Sequence, residues 1–247
     1  MKLSFGGDSI FYLSLPGAIK AINESSIELD EIHCVGFSCI PLFFSEYYES
    51  EDRAFSVVRN IWKDVRKTFQ HLDDNRLLKT VDLLKTLYRL GRPMHGITPI
   101  RVLEDFVDKY FPDITTDKVP RLKIHAFNLE KGDDKIIHGN LREAMKMTLA
   151  FPIHFGAYNN HVSGANVCGV HEADMLFLLN MAQKPIPRNA FDYMMLSTIS
   201  RTYEITRYHK EKARYVIQFN ETNSEPDHLV PQLYQKTRKK LKEFGLF

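Results

Sequence analysis

Ile32-His33-Cys34-Val35-Gly36-Phe37-Ser38-Cys39-Ile40-Pro41 is the stretch on which the reading of the fold turns. Residues 32–35 read as a short strand, Gly36 marks a turn, and a helix is expected from about Leu42. A strand that turns abruptly into a helix at G-x-S-x-G is a nucleophile elbow. The turn lifts the serine hydroxyl above the sheet, and the helix N-terminus favours negative charge developing there. Gly36 and Ser38 are in place here, but Ile40 stands where the second glycine belongs. A β-branched residue at that point is expected to open or strain the turn. Two readings of Ser38 stay open: a nucleophile, or the N-cap of the helix, with Pro41 tolerated in its first turn. Cys39 has two readings as well, a thiol of lowered pKa at a helix N-terminus or a small packing residue.

Upstream, residues 2–5 read as a strand ending at Gly6-Gly7, and 15–23 have helical spacing through Ile19 and Ile22. Strand and helix thus alternate over the first forty residues, which predicts βαβ units and a parallel sheet in an α/β fold. Residues 51–111 change character. They are charge-rich and helical in period, first through Val57, Val58, Ile61, Trp62, Val65 and Phe69. The period continues through Leu77, Leu78, Val81, Leu84 and Leu87 to Gly91-Arg92-Pro93, then after Thr98-Pro99 to Tyr110. We expect this segment to be a helical insertion covering one end or face of the sheet. A strand follows at 122–129, then a hairpin turn at Lys131-Gly132-Asp133-Asp134 before 135–138, and a helix at 141–149. A Gly-rich turn at 162–170, bounded by short strands, leads to a long helix at 189–212, a strand at 215–219 and a basic amphipathic helix from His228. The 247 residues are read as one α/β domain spanning 1–247.

Composition excludes several classes. A formal net charge of +2 gives no basic field for nucleic acid. The three cysteines, Cys34, Cys39 and Cys168, form too sparse and odd a set for a disulfide framework, which predicts a reducing compartment. There is no apolar leader and no run long enough to span a bilayer, so a cytoplasmic location is expected. The tail Lys236-Thr237-Arg238-Lys239-Lys240-Leu241-Lys242 reads as a solvated face, with peripheral contact to anionic lipid as the most it suggests. No cofactor is expected. His161, Cys168, His171, Glu172 and Asp174 lie close in sequence but match no zinc spacing, so no metal site is assigned.

Several segments, taken in order, resemble the patatin-like phospholipases. Leu3-Ser4-Phe5-Gly6-Gly7 is similar to their opening strand and Gly-rich oxyanion loop. Gly17-Ala18-Ile19-Lys20-Ala21-Ile22 is similar to their Gly-Val-Leu-Lys-Ala-Leu helix, and the Ser38 turn follows at the family's spacing. Gly139-Asn140-Leu141-Arg142-Glu143-Ala144 and Ala150-Phe151-Pro152-Ile153-His154-Phe155 resemble the segments that precede the family's Asp-Gly-Gly motif. Residues 189–219 resemble its later long helix and strand. The resemblance covers nearly the whole chain.

The resemblance implies a three-layer α/β/α sandwich with a mostly parallel sheet and a Ser–Asp dyad acting on lipid esters. Ser38 is then at the nucleophile position, and Gly6 and Gly7 are in the oxyanion loop. Such chemistry needs an activated nucleophile, a base in reach and preorganised donors. The chain departs from that pattern. Asp8, Ser9, Ile10, Phe11 and Tyr12 replace further glycines and a basic residue, and Ser163-Gly164-Ala165 stands where the family has its aspartate. Asp8 and His154 are candidate substitute bases, with His161 another histidine near the altered segment. The expectation is therefore a patatin-like protein with lost or altered acyl hydrolase activity that keeps a site for an acyl or other apolar ligand. The rivals are an active serine esterase with a replacement base and a plain structural or interaction module.

Overall fold

A computed structural model describes residues 1–48, 50–69, 96–152, 154–179, 190–221 and 225–247. In chain order the elements are β1 (Lys2–Phe5), α1 (Leu15–Asn23), β2 (Glu31–Val35), α2 (Cys39–Tyr47), α3 (Glu51–Thr68), α4 (Ile100–Tyr110), β3 (Leu122–Asn128), β4 (Asp133–Ile136), α5 (Leu141–Leu149), β5 (His161–Val162), β6 (Met175–Leu179), α6 (Ala190–Lys212), β7 (Tyr215–Phe219) and α7 (Pro226–Glu243). The strands form one mixed sheet in the order β4-β3-β2-β1-β6-β7, with β5 also paired to β3. β3, β2, β1, β6 and β7 run parallel, and β4 and β5 are antiparallel to β3. β2 pairs with residues 122–125 of β3, and β4 takes the opposite edge along 125–128. β5 pairs with Phe127 and Asn128, so it must continue along the β2 side, just beyond the Ser38 turn.

Local chemistry explains the helices. α3 places Ala54, Val58, Ile61, Trp62 and Val65 at three- and four-residue spacing, and all are buried. Ser50 caps it by accepting from the Arg53 amide at 3.4 Å, Glu51 and Asp52 lie in its first turn, and Arg66 and Lys67 lie in its last. α5 is capped in the same way by Asn140, whose Oδ1 accepts from the Glu143 amide at 3.2 Å. The described helices of the 51–111 segment do not form a separate body. Trp62, Val65, Leu103 and Phe106 belong to the same hydrophobic core as Leu3, Cys34 and Phe177 of the sheet. The helix expected through Leu77–Leu87 lies outside the described residues. No described helix is long and apolar enough to cross a membrane.

Three expectations need correction, and one strand was not expected at all. α2 starts at Cys39 rather than near Leu42. β4 starts at Asp133, so Asp133 and Asp134 belong to a strand and not to the hairpin turn. β6, Met-Leu-Phe-Leu-Leu, is buried along its whole length between β1 and β7, and the periodicity reading passes it over. A strand covered on both faces has no polar alternation to betray it. Finally, Cys34 and Cys39 are disulfide-bonded, contrary to the cysteine reading. The turn folds the helix start back on the strand end, bringing the two Cα atoms to 5.1 Å, well within bridging range.

Candidate functional site

The Ser38 turn is built as the sequence suggests in outline and differently in detail. Gly36 carries the left-handed backbone, with φ +57°, and a Cβ there would lie 2.6 Å from the Gly7 carbonyl oxygen. Gly7 is equally constrained, because its Cβ would overlap the Val35 carbonyl oxygen. The Gly6-Gly7 segment is thus pressed against the end of β2. Ser38 itself is relaxed at φ −65° and ψ −27°, ordinary helical values. Ile40 does not strain the turn as expected. It sits fully buried in the first turn of α2, because the chain enters helical geometry before reaching it and Gly36 takes the unusual conformation.

The hydroxyl of Ser38 is fully buried and turned back on β2. It donates to the Val35 carbonyl at 3.0 Å and accepts from the Val35 amide at 3.2 Å. It makes no capping bond to α2, so Ser38 holds the N-cap position without acting as a side-chain cap. The surrounding donors are also committed. The Phe37 amide donates to the Gly7 carbonyl at 3.0 Å, the Gly36 amide to Thr148 Oγ1 at 2.8 Å, and the Gly6 amide to the Phe177 carbonyl at 3.3 Å. An oxyanion site needs donors aimed at unfilled space; these three point into the fold. The Tyr12 hydroxyl accepts from the Leu179 amide at 2.9 Å and lies where a Gly6 Cβ would fall, filling the space over that glycine.

Among the described residues, no candidate base is bonded to the Ser38 hydroxyl. Asp8 keeps exposed surface, yet the protein around it strips away solvation and pushes its carboxyl up to about 6, a hydrogen bond from its own backbone offsetting part of that rise. Ser9, not Asp8, caps the following turn, by accepting from the Phe11 amide at 3.3 Å. His154 is buried, with Nε2 3.1 Å from the Thr68 carbonyl and its ring stacked on Phe69. Ser163 is buried and accepts from the Ala165 amide at 3.4 Å. The Ser163-Gly164-Ala165 segment does reach the turn: Ala165 Cβ lies 3.2 Å from where a Gly36 Cβ would stand. Cys39 is bonded to Cys34 and so is not a reactive thiol in this state. A separate cleft of about 750 Å³ opens at the far end of α2, where Tyr47, Tyr48, Arg53, Lys109 and Arg142 mix aromatic and cationic groups. That end lies roughly 13 Å along the helix from Ser38.

A second constellation lies on one face of the sheet. Side chains of a strand alternate between faces, and paired residues share a face. Ser4 pairs with His33, Val35 with His125, and Phe127 with Asp134. These registers put Ser4, His33, His125 and Asp134 on the same face of four neighbouring strands. His171 joins them from the loop before β6, its amide donating to Ser4 Oγ at 2.9 Å. The contacts run Glu31 Oε2 to His33 Nε2 at 3.3 Å, His33 Nδ1 to His125 Nε2 at 2.9 Å, and His125 Nδ1 to Asp134 Oδ2 at 2.6 Å. His171 Nδ1 is 3.4 Å from the same Asp134 oxygen, and its ring stacks on His125 with centroids 3.5 Å apart. Burial, reinforced by the neighbouring imidazoles, lowers His125 and His171 to about 3, so both rings are neutral near pH 7. Burial raises Asp134 to about 6, against the pull of His171.

Of the residues grouped in sequence around His171, Cys168 stays near the cluster, where burial and the charge of Asp134 push its thiol up to about 11, and the other three go elsewhere. His161 contacts Asn128 and the Asn159 carbonyl, Glu172 pairs with Lys212, and Asp174 accepts from the Lys2 amide. His33 was missed because it lies 92 residues from His125, and Asp134, only nine residues from His125, because it was read as part of the hairpin turn. The available signal was strand alternation, Glu31-x-His33-x-Val35 and Lys123-x-His125-x-Phe127, which lines up polar groups on one face.

No protein-family model matches this chain, and no curated protein matches it.

Proposed function

We propose that this chain is a divergent patatin-like protein, with a three-layer α/β/α frame, that does not use Ser38 for acyl transfer. The observation that carries the reading is the Ser38 hydroxyl held between the amide and carbonyl of Val35 and sealed from solvent. A nucleophilic serine needs a base within hydrogen-bond reach and free space for the acyl carbon. Among the described residues no candidate base is bonded to Ser38, its hydroxyl is fully buried, and the neighbouring amides of Gly6, Gly36 and Phe37 are bonded internally. The order of motifs along the chain supports the family reading, as does the parallel β3-β2-β1-β6-β7 core of the sheet. A cytoplasmic location belongs to the same reading. The Cys34–Cys39 bond is fully buried, and this shields it from cellular thiols in the folded state.

Labelling with a fluorophosphonate probe tests this reading, with wild type compared against Ser38→Ala in folded protein. No labelling of either is expected. Labelling of the wild type that disappears in Ser38→Ala would overturn the proposal and establish Ser38 as an activated nucleophile.

A further inference from the structure

The string of contacts from Glu31 through His33 and His125 to Asp134 poses a counting problem. It has three links, and each needs one hydrogen between its two electronegative atoms. Two neutral imidazoles carry two hydrogens in total. Two ionised carboxylates close the ends and bring none. One more positive centre is required, either an extra proton or a metal ion.

The position of His171 favours the metal. Its Nδ1 and that of His125 both converge on Asp134 Oδ2. The other carboxylate oxygen, Asp134 Oδ1, is buried with no hydrogen-bond partner among the described residues, and so is His171 Nε2. A carboxylate built only to accept hydrogen bonds would divide two donors between its two oxygens. Two stacked imidazoles crowded onto one oxygen form instead a three-donor cluster around a point. One donor atom from each of His125, Asp134 and His171 lies within 4.8 Å of the other two. Ligands about 2.0–2.2 Å from a tetrahedral zinc-type ion stand roughly 3.4 Å apart, so His171 Nδ1 is already at ligand spacing from Asp134 Oδ2 at 3.4 Å, and His125 Nδ1, at 2.6 Å, must move apart from it by under about 1 Å, a small side-chain rotation. All three side chains are mostly buried, at 7%, 18% and 12% exposed respectively.

We propose that His125, Asp134 and His171 bind a divalent first-row transition metal such as zinc, with His33 and Glu31 as the outer support that orients His125. Two imidazoles and one carboxylate suit zinc and its neighbours rather than calcium or magnesium, which prefer all-oxygen cages. A ligating histidine is generally held by a hydrogen bond from its other nitrogen, and His33 supplies that partner to His125. With the metal between His125 Nδ1 and Asp134, two hydrogens suffice for the two remaining links.

The test is titration of the chelator-treated full chain with cobalt(II), followed by visible absorption, with zinc as competitor. One cobalt per chain with d–d bands that zinc abolishes is expected. Asp134→Asn and His171→Ala, checked for folding by circular dichroism, should weaken binding ~100-fold or more, and His33→Gln about tenfold. Wild type without d–d bands would overturn the metal and leave a shared proton. Unchanged binding by Asp134→Asn and His171→Ala, or a strong sulfur-to-cobalt charge-transfer band, would overturn the ligand assignment. Where a variant does not fold, anomalous scattering at the zinc edge from wild-type crystals decides. An ion between His125, Asp134 and His171 supports the proposal, and one elsewhere overturns it.

Discussion

The Ser38 turn and the histidine face lie on either side of the end of β2, and they satisfy their polar groups in opposite ways. In the turn the partners are mostly main-chain atoms: Ser38 with Val35, Phe37 with Gly7, Gly6 with Phe177. Besides the Ser38 hydroxyl itself, Thr148 joins in, accepting from the Gly36 amide and touching Cys39 Sγ. On the histidine face the partners are side chains, drawn from β2, β3, β4 and the loop before β6, and two buried atoms have none among the described residues. Buried polar groups in native proteins are nearly all paired, so a group left over calls for a functional explanation. The turn that looks catalytic in sequence is saturated, and the face that looks structural is not.

The sharpest way to break this comparison is Gly36→Ala. Alanine at φ +57° costs roughly 1–2 kcal/mol in backbone strain. Its Cβ would also collide with the Gly7 carbonyl and the Phe151 ring, adding roughly 1–3 kcal/mol of overpacking. A destabilisation of about 3 kcal/mol in urea unfolding is expected. A change under about 1 kcal/mol would show that the turn is not the rigid, main-chain-saturated unit described above.

Asp134→Ala, measured in chelator-treated protein, probes the other region. It leaves His125 Nδ1 without its close partner and should cost about 2 kcal/mol, the range for hydrogen bonds to charged groups. A neutral effect would mean that the side-chain string contributes nothing to the apo fold.

Ser38→Ala should have the smallest effect. It removes the hydroxyl from two main-chain partners at the end of β2 and should cost about 1 kcal/mol by the same denaturant measurement. A stabilised Ser38→Ala variant would point the other way, since serines held for catalysis tend to be kept at the expense of stability.

Legibility in the sequence followed the length scale of the interactions. Amphipathic α3 was plain, because Val58, Ile61, Trp62 and Val65 repeat within one helix. β6 was invisible, because burial on both faces erases the alternation that marks a strand. The turn of Gly36 was readable, but the direction of the Ser38 hydroxyl was not, since it depends on where the chain enters helical geometry. Asp134 was misplaced by two residues of hairpin boundary, and this hid it: in a turn it faces solvent, whereas in β4 it faces His125.

The sequence by itself determined the alternation of strand and helix over the first forty residues, the glycine turn at the end of β2, and the face of β2 and β3 on which their polar residues fall. These are local consequences of side-chain periodicity and backbone sterics. Only the tertiary structure decided that His33, His125, Asp134 and His171 meet, because neighbouring strands are chosen by crossovers and register. It also decided that Ser38 is sealed, because Gly7, from the segment after β1, closes on the end of β2 and commits the turn's hydrogen bonds inside the protein.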